Sequence, residues 1–125
     1  MSSISLKCEL NELYNLNEFI INILEKENFH VSLIAEEIFT NIVNYSNAES
    51  VKVNGSFENQ VLTLEFIDDG IEFNPLKKEP PKTPNTIDDA KIGGLGIFLT
   101  KELSDELDYK YVNGKNYLKI IKKVE

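Results

Sequence analysis

The segment AEEIFTNIVNYS, residues 35–46, combines an apolar helical pattern with a second, polar stripe. Glu37, Asn41 and Asn44 fall at i, i+4 and i+7, so they line up along one face of a helix. Asparagine is a mediocre helix former because its side chain competes for backbone hydrogen bonds, so repeating it along one face has a cost. The stripe is either a solvated face or a row of polar groups that bind a ligand.

A second candidate is Asp68-Asp69-Gly70, which ends the apolar strand pattern QVLTLEFID. The same residue types are common in simple turns. A carboxylate at the end of an apolar strand can also accept a hydrogen bond from an exocyclic amine. The N6 amino group of adenine is such a donor, whereas guanine has none at that position, so Asp68 is a candidate selector of adenine.

A third motif, GGLG at residues 93–96, stands before an apolar helical pattern. Its glycines can form a plain loop-to-helix junction. They can also let the backbone approach phosphates, whose charge is then bound by the free N–H groups and positive dipole of the helix. The motif is not a Walker loop, since no Gly-Lys-Ser/Thr follows, and the Rossmann fingerprint is absent.

Composition narrows the function classes. The net charge is −8, and all 13 basic residues are lysines. A nucleic-acid binder usually carries a basic stripe and uses arginine, so we expect no direct nucleic-acid contact. Without arginine, phosphate charge must be met by lysine, backbone N–H groups or a metal ion.

The chain lacks the usual sequence marks of membrane insertion and export. No apolar run approaches the ~18 residues of a membrane span, and the N-terminus does not have the layout of a signal peptide. The single cysteine, Cys8, cannot form an internal disulfide, and its alternation with Ile4, Leu6 and Leu10 predicts a buried strand position. We expect a cytoplasmic protein without membrane contact.

The elements that must position these motifs follow the order β-α-α-β-β-loop-α-β-β. Alternation predicts strands at 4–10 and in SVKVNGSF, QVLTLEFID, LDYKYV and NYLKIIK, and helical spacing predicts helices at 12–27, 31–47 and 95–105. Turns are expected around Glu58-Asn59 and at Asn113-Gly114. The proline-rich stretch at 76–92 is interpreted as a lid, because candidate motifs flank it. The order predicts one α+β domain over residues 1–125, a two-layer sandwich with a mainly antiparallel (mixed) sheet and helices on one face.

The motifs together match one superfamily in order and spacing. They resemble the ATP-binding (Bergerat) fold of histidine kinases, the Hsp90 chaperone, type II topoisomerases and mismatch-repair ATPases, through Glu37-x-x-x-Asn41, Asp68-x-Gly70, a long loop and Gly93-Gly94-Leu95-Gly96. Within that superfamily, the chain is similar to the bacterial anti-sigma-factor serine kinases, by the segments EEIFTNIVNYS, DDGIEFNP, GGLGIFLTKELSDEL and NGKNYLKI. The resemblance spans essentially the whole chain.

The resemblance implies a role for each motif. The helix asparagine of the family supplies its amide oxygen to Mg²⁺, which maps onto Asn41, and the glutamate one turn earlier is the general base, which maps onto Glu37. Mg²⁺ prefers hard oxygen ligands and keeps several waters, so one protein ligand suffices. Asn44 would line the same pocket, near the phosphates or the ribose. The full set of residues expected to bind ATP is Asn41, Asn44, Asp68, Gly70, Phe73, Gly93, Gly94, Leu95 and Gly96.

The chain departs from the family pattern at three points. The second glycine of Asp-x-Gly-x-Gly is Glu72 here, although Phe73-Asn74-Pro75 suits the serine-kinase branch. Kinases of that branch often use arginine to contact partners and phosphate, and this chain has none. His30, the only histidine, lacks the context of a phosphoacceptor, so we expect it at the surface or in a helix cap.

The function implied by the resemblance is that of an ATP- and Mg²⁺-dependent protein serine kinase that is also an anti-sigma factor. Its expected partners are a sigma factor and a small anti-anti-sigma protein whose serine takes the γ-phosphoryl group. Family members often dimerise, so a homodimer is one expectation. Two alternatives stay open: an ATP/ADP-dependent regulatory binding module without phosphotransfer, and a plain ATPase, which is disfavoured because we expect no further domain to use the hydrolysis.

Overall fold

The computed structural model describes residues 2–74 and 100–124. The predicted lid at 76–92 and the motif formed by Gly93, Gly94, Leu95 and Gly96 lie outside the described residues, so the roles assigned to them stay predictions. Of the predicted helix at 95–105, residues 100–105 are described. Residues 100–103 are helical, and the helix ends before Ser104, earlier than predicted.

Within the described residues, one sheet of five strands packs against two helices. The strands are β1 (Ser2–Lys7), β2 (Ser50–Glu58), β3 (Val61–Asp68), β4 (Glu106–Val112) and β5 (Lys115–Lys123), and the helices are α1 (Leu13–Leu24) and α2 (Phe29–Tyr45). A 3-10 turn, Leu10–Glu12, precedes α1. The strand order is β1-β2-β3-β5-β4, and every described pair is antiparallel. The predicted α+β class is confirmed, while the mixed sheet that the sequence allowed is wholly antiparallel in this part of the chain.

One hydrophobic core lies between the sheet and the helices. In β3 every second residue is buried and the residues between are only half-buried, as expected for a sheet that is covered on one face. The helices meet this face with apolar residues at turn spacing, namely Leu16, Ile20 and Leu24 of α1 and Ile34, Ile38 and Ile42 of α2.

The ends of the helices are determined by local backbone and capping features, which the apolar pattern does not show. The first helix ends at Leu24, earlier than predicted, because Glu25 adopts a left-handed φ of 61°. The second begins at Phe29, since Asn28 caps it by accepting a hydrogen bond from the Val31 N–H at 3.0 Å. No helix of the described residues is long and apolar enough to cross a membrane.

The strand ends agree with the sequence at the hairpins but not at β1. Asn113 and Gly114 form the predicted turn, with φ values of 53° and 77°. The β2–β3 turn lies at Asn59-Gln60, one residue later than expected. The predicted buried strand position of Cys8 is wrong, because the chain bends there towards the 3-10 turn and leaves Cys8 half-buried beyond the strand. His30 is exposed in the first turn of α2, as predicted for a surface residue.

Two polar residues occupy core-facing positions at one end of the sheet. Asp68 is the last residue of β3 and continues the buried alternation of that strand, and Asn116 is its register partner on β5. Their relative exposures are only 4% and 3%. A carboxylate and an amide are buried side by side on an otherwise apolar face, and buried polar groups of this kind require an explanation. They indicate a functional site at this end of the sheet.

Candidate functional site

A cavity lies between the C-terminal half of α2 and the ends of β3 and β5. The described residues that line it combine apolar and polar side chains: Ile38, Asn41, Ile42, Ser46, Asp68, Phe73, Tyr109, Asn116 and Leu118. Ligand sites are typically concave and largely apolar, with a few polar groups that fix the orientation of the ligand. This cavity is therefore the candidate site.

Asp68 is held in the cavity wall by one of its two carboxylate oxygens. Oδ1 accepts a hydrogen bond from the Gly70 N–H at 2.9 Å and another from the Asn116 amide at 3.0 Å. Within the described residues both hydrogen bonds end on Oδ1, which leaves Oδ2 as an acceptor for a ligand. Burial raises the pKa of Asp68 above its ordinary value, and the two hydrogen bonds offset part of that increase.

Gly70 lets the end of β3 approach the end of α2. A Cβ at this position would stand 2.2 Å from the carbonyl oxygen of Ser46, which no side chain could tolerate without a backbone shift. The N–H of the next residue, Ile71, donates to the same carbonyl oxygen at 2.7 Å. The glycine of the Asp-x-Gly pattern therefore has a packing reason here, and its place beside Asp68 fixes one wall of the cavity.

Phe73 closes one side of the cavity through two contacts. Its ring stacks on Tyr45 of α2, with centroids 5.5 Å apart and ring planes inclined by 27°. Its N–H donates to the side-chain oxygen of Asn116 at 3.1 Å. The segment after Asp68 is thus tied to both the helix and the sheet.

Asn41 is the member of the helix stripe that reaches the cavity. Its relative exposure is 4%, and its amide nitrogen has no hydrogen-bond partner within the described residues. An unpaired buried amide is unfavourable by about 1–3 kcal/mol, so its presence indicates a group that is used when a ligand binds. A side-chain amide offers an oxygen, which suits Mg²⁺, and N–H donors, which suit phosphate oxygens. The residue therefore fits a site for ATP with Mg²⁺.

The rest of the stripe lies outside the part of the cavity that the described residues form. Glu37 is half-buried one turn before Asn41, and burial, followed by the charge of Glu36, raises its pKa. Glu36 faces α1, where its carboxylate accepts a hydrogen bond from Asn17 at 3.0 Å. The base role of Glu37 stays a prediction.

Asn44 lies outside the part of the cavity that the described residues form, and its role stays a prediction. It is exposed and is absent from the lining residues. The reason is geometric, since a residue three positions after Asn41 is rotated by about 60° around the helix axis. Its expected contact with the phosphates or the ribose therefore lacks support from the described cavity.

Three polar lining residues, Ser46, Tyr109 and Asn116, received no role from the sequence, although Ser46 and Asn116 lie within the segments EEIFTNIVNYS and NGKNYLKI. Asn116 had a detectable signal, because it occupies the same strand phase as the buried Leu118 and Ile120. Ser46 and Tyr109 had none, because their positions depend on how α2, β4 and β5 come together. Within the described residues no cluster of three or more His, Cys, Asp or Glu side chains could hold a metal ion.

The chain is similar to known proteins in sequence and in fold. Residues 14–122 match the family model described as "Histidine kinase-like ATPase domain". The serine/threonine-protein kinase BtrW of Bordetella bronchiseptica is 26% identical over 94 residues, which cover 72% of this chain and 66% of that kinase. Among solved structures, the Acinetobacter baumannii histidine kinase AdeS matches with a TM-score of 0.57 and 11% identity, over 100% of this chain and 68% of that chain. At that identity the second likeness concerns the fold alone.

Proposed function

Because the chain belongs to the histidine kinase-like ATPase domain family, we propose that its cavity binds ATP with Mg²⁺ and that the protein is a serine kinase and anti-sigma factor. One observation carries the nucleotide site. The same cavity contains a carboxylate oxygen left for a ligand, on Asp68, and a buried amide nitrogen without a described partner, on Asn41. The carboxylate oxygen suits the adenine amine, and the amide N–H groups suit phosphate oxygens.

Adenine recognition is assigned to Asp68. Its Oδ2 accepts a hydrogen bond from the N6 amino group, while the apolar lining side chains, such as Ile42 and Leu118, contact the faces of the base. A hydrogen bond to an ionised acceptor contributes about 1.5–3 kcal/mol, so this contact favours adenine over 6-oxo purines.

The phosphate end of the site is assigned to Asn41, with support expected from Gly93, Gly94 and Gly96. The Asn41 oxygen would hold Mg²⁺, which neutralises phosphate charge when it is bound. The backbone N–H groups of the GGLG motif, which lies outside the described residues, would bind the phosphate oxygens. In a chain without arginine, these neutral donors and the metal take the place of a guanidinium.

The kinase step needs few groups beyond these. The serine oxygen of the partner forms a bond to the γ-phosphorus, the bond between that phosphorus and the β,γ-bridging oxygen breaks, and ADP leaves. Glu37 takes the proton of the serine hydroxyl, and its raised pKa makes it a better base than an ordinary glutamate. Positioning and electrostatic stabilisation account for most of the catalysis in phosphoryl transfer.

The kinase assignment and its partners are supported by likeness. The relative BtrW is named a serine/threonine-protein kinase, and it is similar to this chain at 26% identity. We propose an anti-anti-sigma protein as the substrate and a sigma factor as the sequestered partner, with a homodimer as the assembly.

A regulatory binding module that uses ATP and ADP without phosphotransfer is the second candidate. The absence of arginine and the position of Glu37 outside the described cavity favour it. Incubation with γ-labelled ATP, Mg²⁺ and candidate anti-anti-sigma proteins separates the two. Label on a partner serine, lost in Glu37→Gln, supports the kinase. Nucleotide-dependent partner binding without label supports the module, and no nucleotide binding contradicts both.

A further inference from the structure

We propose that Asn116 determines the purine preference of the site by fixing the orientation of the Asp68 carboxylate. It acts as a positioning residue and not as a ligand. The inference rests on the proposed function and deepens it, because it names the residue on which adenine recognition by Asp68 depends.

All of the hydrogen-bonding capacity of the Asn116 side chain is used within the protein. A side-chain amide has two N–H donors and an oxygen with two lone pairs. The nitrogen donates to Asp68 Oδ1 at 3.0 Å and to the Ile71 carbonyl at 2.7 Å. The oxygen accepts from the Phe73 N–H at 3.1 Å and from the Tyr109 hydroxyl. Nothing is left for a nucleotide, so Asn116 can act only through its neighbours.

The orientation of the Asn116 amide is forced by the backbone. The Phe73 N–H can only donate and the Ile71 carbonyl can only accept, so neither tolerates an exchange of the amide nitrogen and oxygen. The Tyr109 hydroxyl donates to the same amide oxygen as the Phe73 N–H does. The amide nitrogen must therefore face Asp68.

The fixed amide in turn fixes which oxygen of Asp68 remains for the ligand. The Asn116 nitrogen and the Gly70 N–H approach the same carboxylate oxygen from two elements, β5 and the turn after β3. A carboxylate held by two donors on Oδ1 cannot rotate without losing both hydrogen bonds. Its second oxygen is thereby kept ready for a donor on the base, before the nucleotide arrives.

The test is the ratio of affinities for ATP and for inosine triphosphate (ITP), which carries a 6-oxo group where adenine has the amine. Calorimetry with Mg²⁺ is performed on the wild-type chain and on two variants. Asn116→Ser adds no charge but is too short to hold Asp68, and Asn116→Leu keeps the approximate shape without any donor. Both should lower the preference for ATP over ITP by about tenfold, the value of one oriented hydrogen bond to a charged group.

Ile120→Val is the matched control. Ile120 is buried on the same strand and outside the cavity lining, so its variant weakens the core without touching Asp68. It should retain the wild-type ratio. Thermal unfolding of each variant identifies the folded ones, and the two replacements of Asn116 provide independent readings.

The outcomes distinguish this inference from the proposed function. A wild-type chain that prefers ATP, together with Asn116 variants that bind both nucleotides with a reduced preference, supports it. Asn116 variants that lose affinity for both nucleotides equally, and so keep the ratio, overturn the positioning role but not the nucleotide site. A wild-type chain that binds neither nucleotide, or both equally, overturns adenine recognition by Asp68 and this inference with it.

Discussion

Replacement of Asp68 by asparagine should invert the purine preference of the site and should not simply abolish binding. The two donors at Oδ1, from Gly70 and Asn116, remain in the variant and still require an acceptor there. The amide oxygen therefore occupies the Oδ1 position, and the amide nitrogen replaces Oδ2 and faces the cavity. It meets the amine of ATP as a second donor, whereas it can donate to the 6-oxo group of ITP.

The size of the inversion follows from the two hydrogen bonds that are exchanged. The loss of a charge-assisted hydrogen bond weakens ATP binding by about 1.5–3 kcal/mol, or about 10- to 150-fold. A new neutral hydrogen bond to ITP contributes about 0.5–1.5 kcal/mol, or about 2- to 12-fold. The ratio of the two affinities should therefore change by about 20- to 1,800-fold in favour of ITP.

Calorimetry with ATP and ITP in the presence of Mg²⁺ measures this ratio directly. Asp69→Asn is the matched control, because Asp69 is exposed and its carboxylate accepts from the Glu49 and Ser50 N–H groups at 3.0 and 3.4 Å instead of facing the cavity. It should bind both nucleotides as the wild type does. An Asp68→Asn protein with the wild-type ratio would refute the reasoning from hydrogen-bond geometry, and so would an inversion in the control.

The same substitution should change the pH dependence of stability without nucleotide. Burial raises the pKa of Asp68 above its ordinary value of 3.8, so the ionised carboxylate is less favourable in the fold than in the unfolded chain. The stability linked to the neutral carboxyl is complete below the ordinary value and is lost as the pH rises through the raised pKa. Asp68→Asn does not ionise and should escape this loss. Urea unfolding of both proteins from about pH 4 upward should show a free-energy difference that grows in favour of the variant.

Three other substitutions, the first with a matched control, test the remaining assignments. Glu37→Gln should leave ATP affinity nearly intact and lower phosphotransfer in single-turnover assays by about 10²–10⁴-fold, whereas Glu36→Gln, which alters a contact with α1, should keep the rate. Asn41→Ala should remove the Mg²⁺-dependent part of ATP affinity in titrations with and without the metal. Gly70→Ala should destabilise the fold by about 1–3 kcal/mol in urea, because its Cβ would stand 2.2 Å from the Ser46 carbonyl oxygen; an unchanged midpoint would contradict the close approach.

The sheet could be predicted because its information is local. Alternation of apolar residues in QVLTLEFID and the turn at Asn113-Gly114 each identify an element without reference to the rest of the chain. The helix ends were harder to predict from sequence, since α2 begins where Asn28 caps it and α1 ends where Glu25 adopts a left-handed φ. The bend at Cys8 was missed because alternation continues through it in the sequence.

Candidate site residues could be predicted from sequence where their residue type is unusual for their position in a strand or helix. Asp68 was predicted because a carboxylate at the end of an apolar strand is unusual. Asn41 was predicted because it belongs to a polar stripe on an otherwise apolar helix. Asn44 was grouped with Asn41 by spacing, yet the two point in different directions around the helix. Asn116 was missed because its importance lies in four hydrogen bonds to three other segments, which no local pattern contains.

The two buried asparagines of the cavity show why hydrogen-bond accounting separates a ligand-binding residue from a supporting one. They are equally buried, with 4% exposure for Asn41 and 3% for Asn116. Asn116 satisfies both donors and both lone pairs within the fold, so its removal should destabilise the protein even without nucleotide. The Asn41 nitrogen has no described partner, so Asn41→Ala should cost little stability in the nucleotide-free protein, because relief of an unpaired amide offsets the packing that is lost. Thermal unfolding of the two alanine variants, without and then with ATP and Mg²⁺, should therefore show opposite patterns. Asn116→Ala should lower the stability of the nucleotide-free protein. Asn41→Ala should lower only the additional stability that ATP and Mg²⁺ provide.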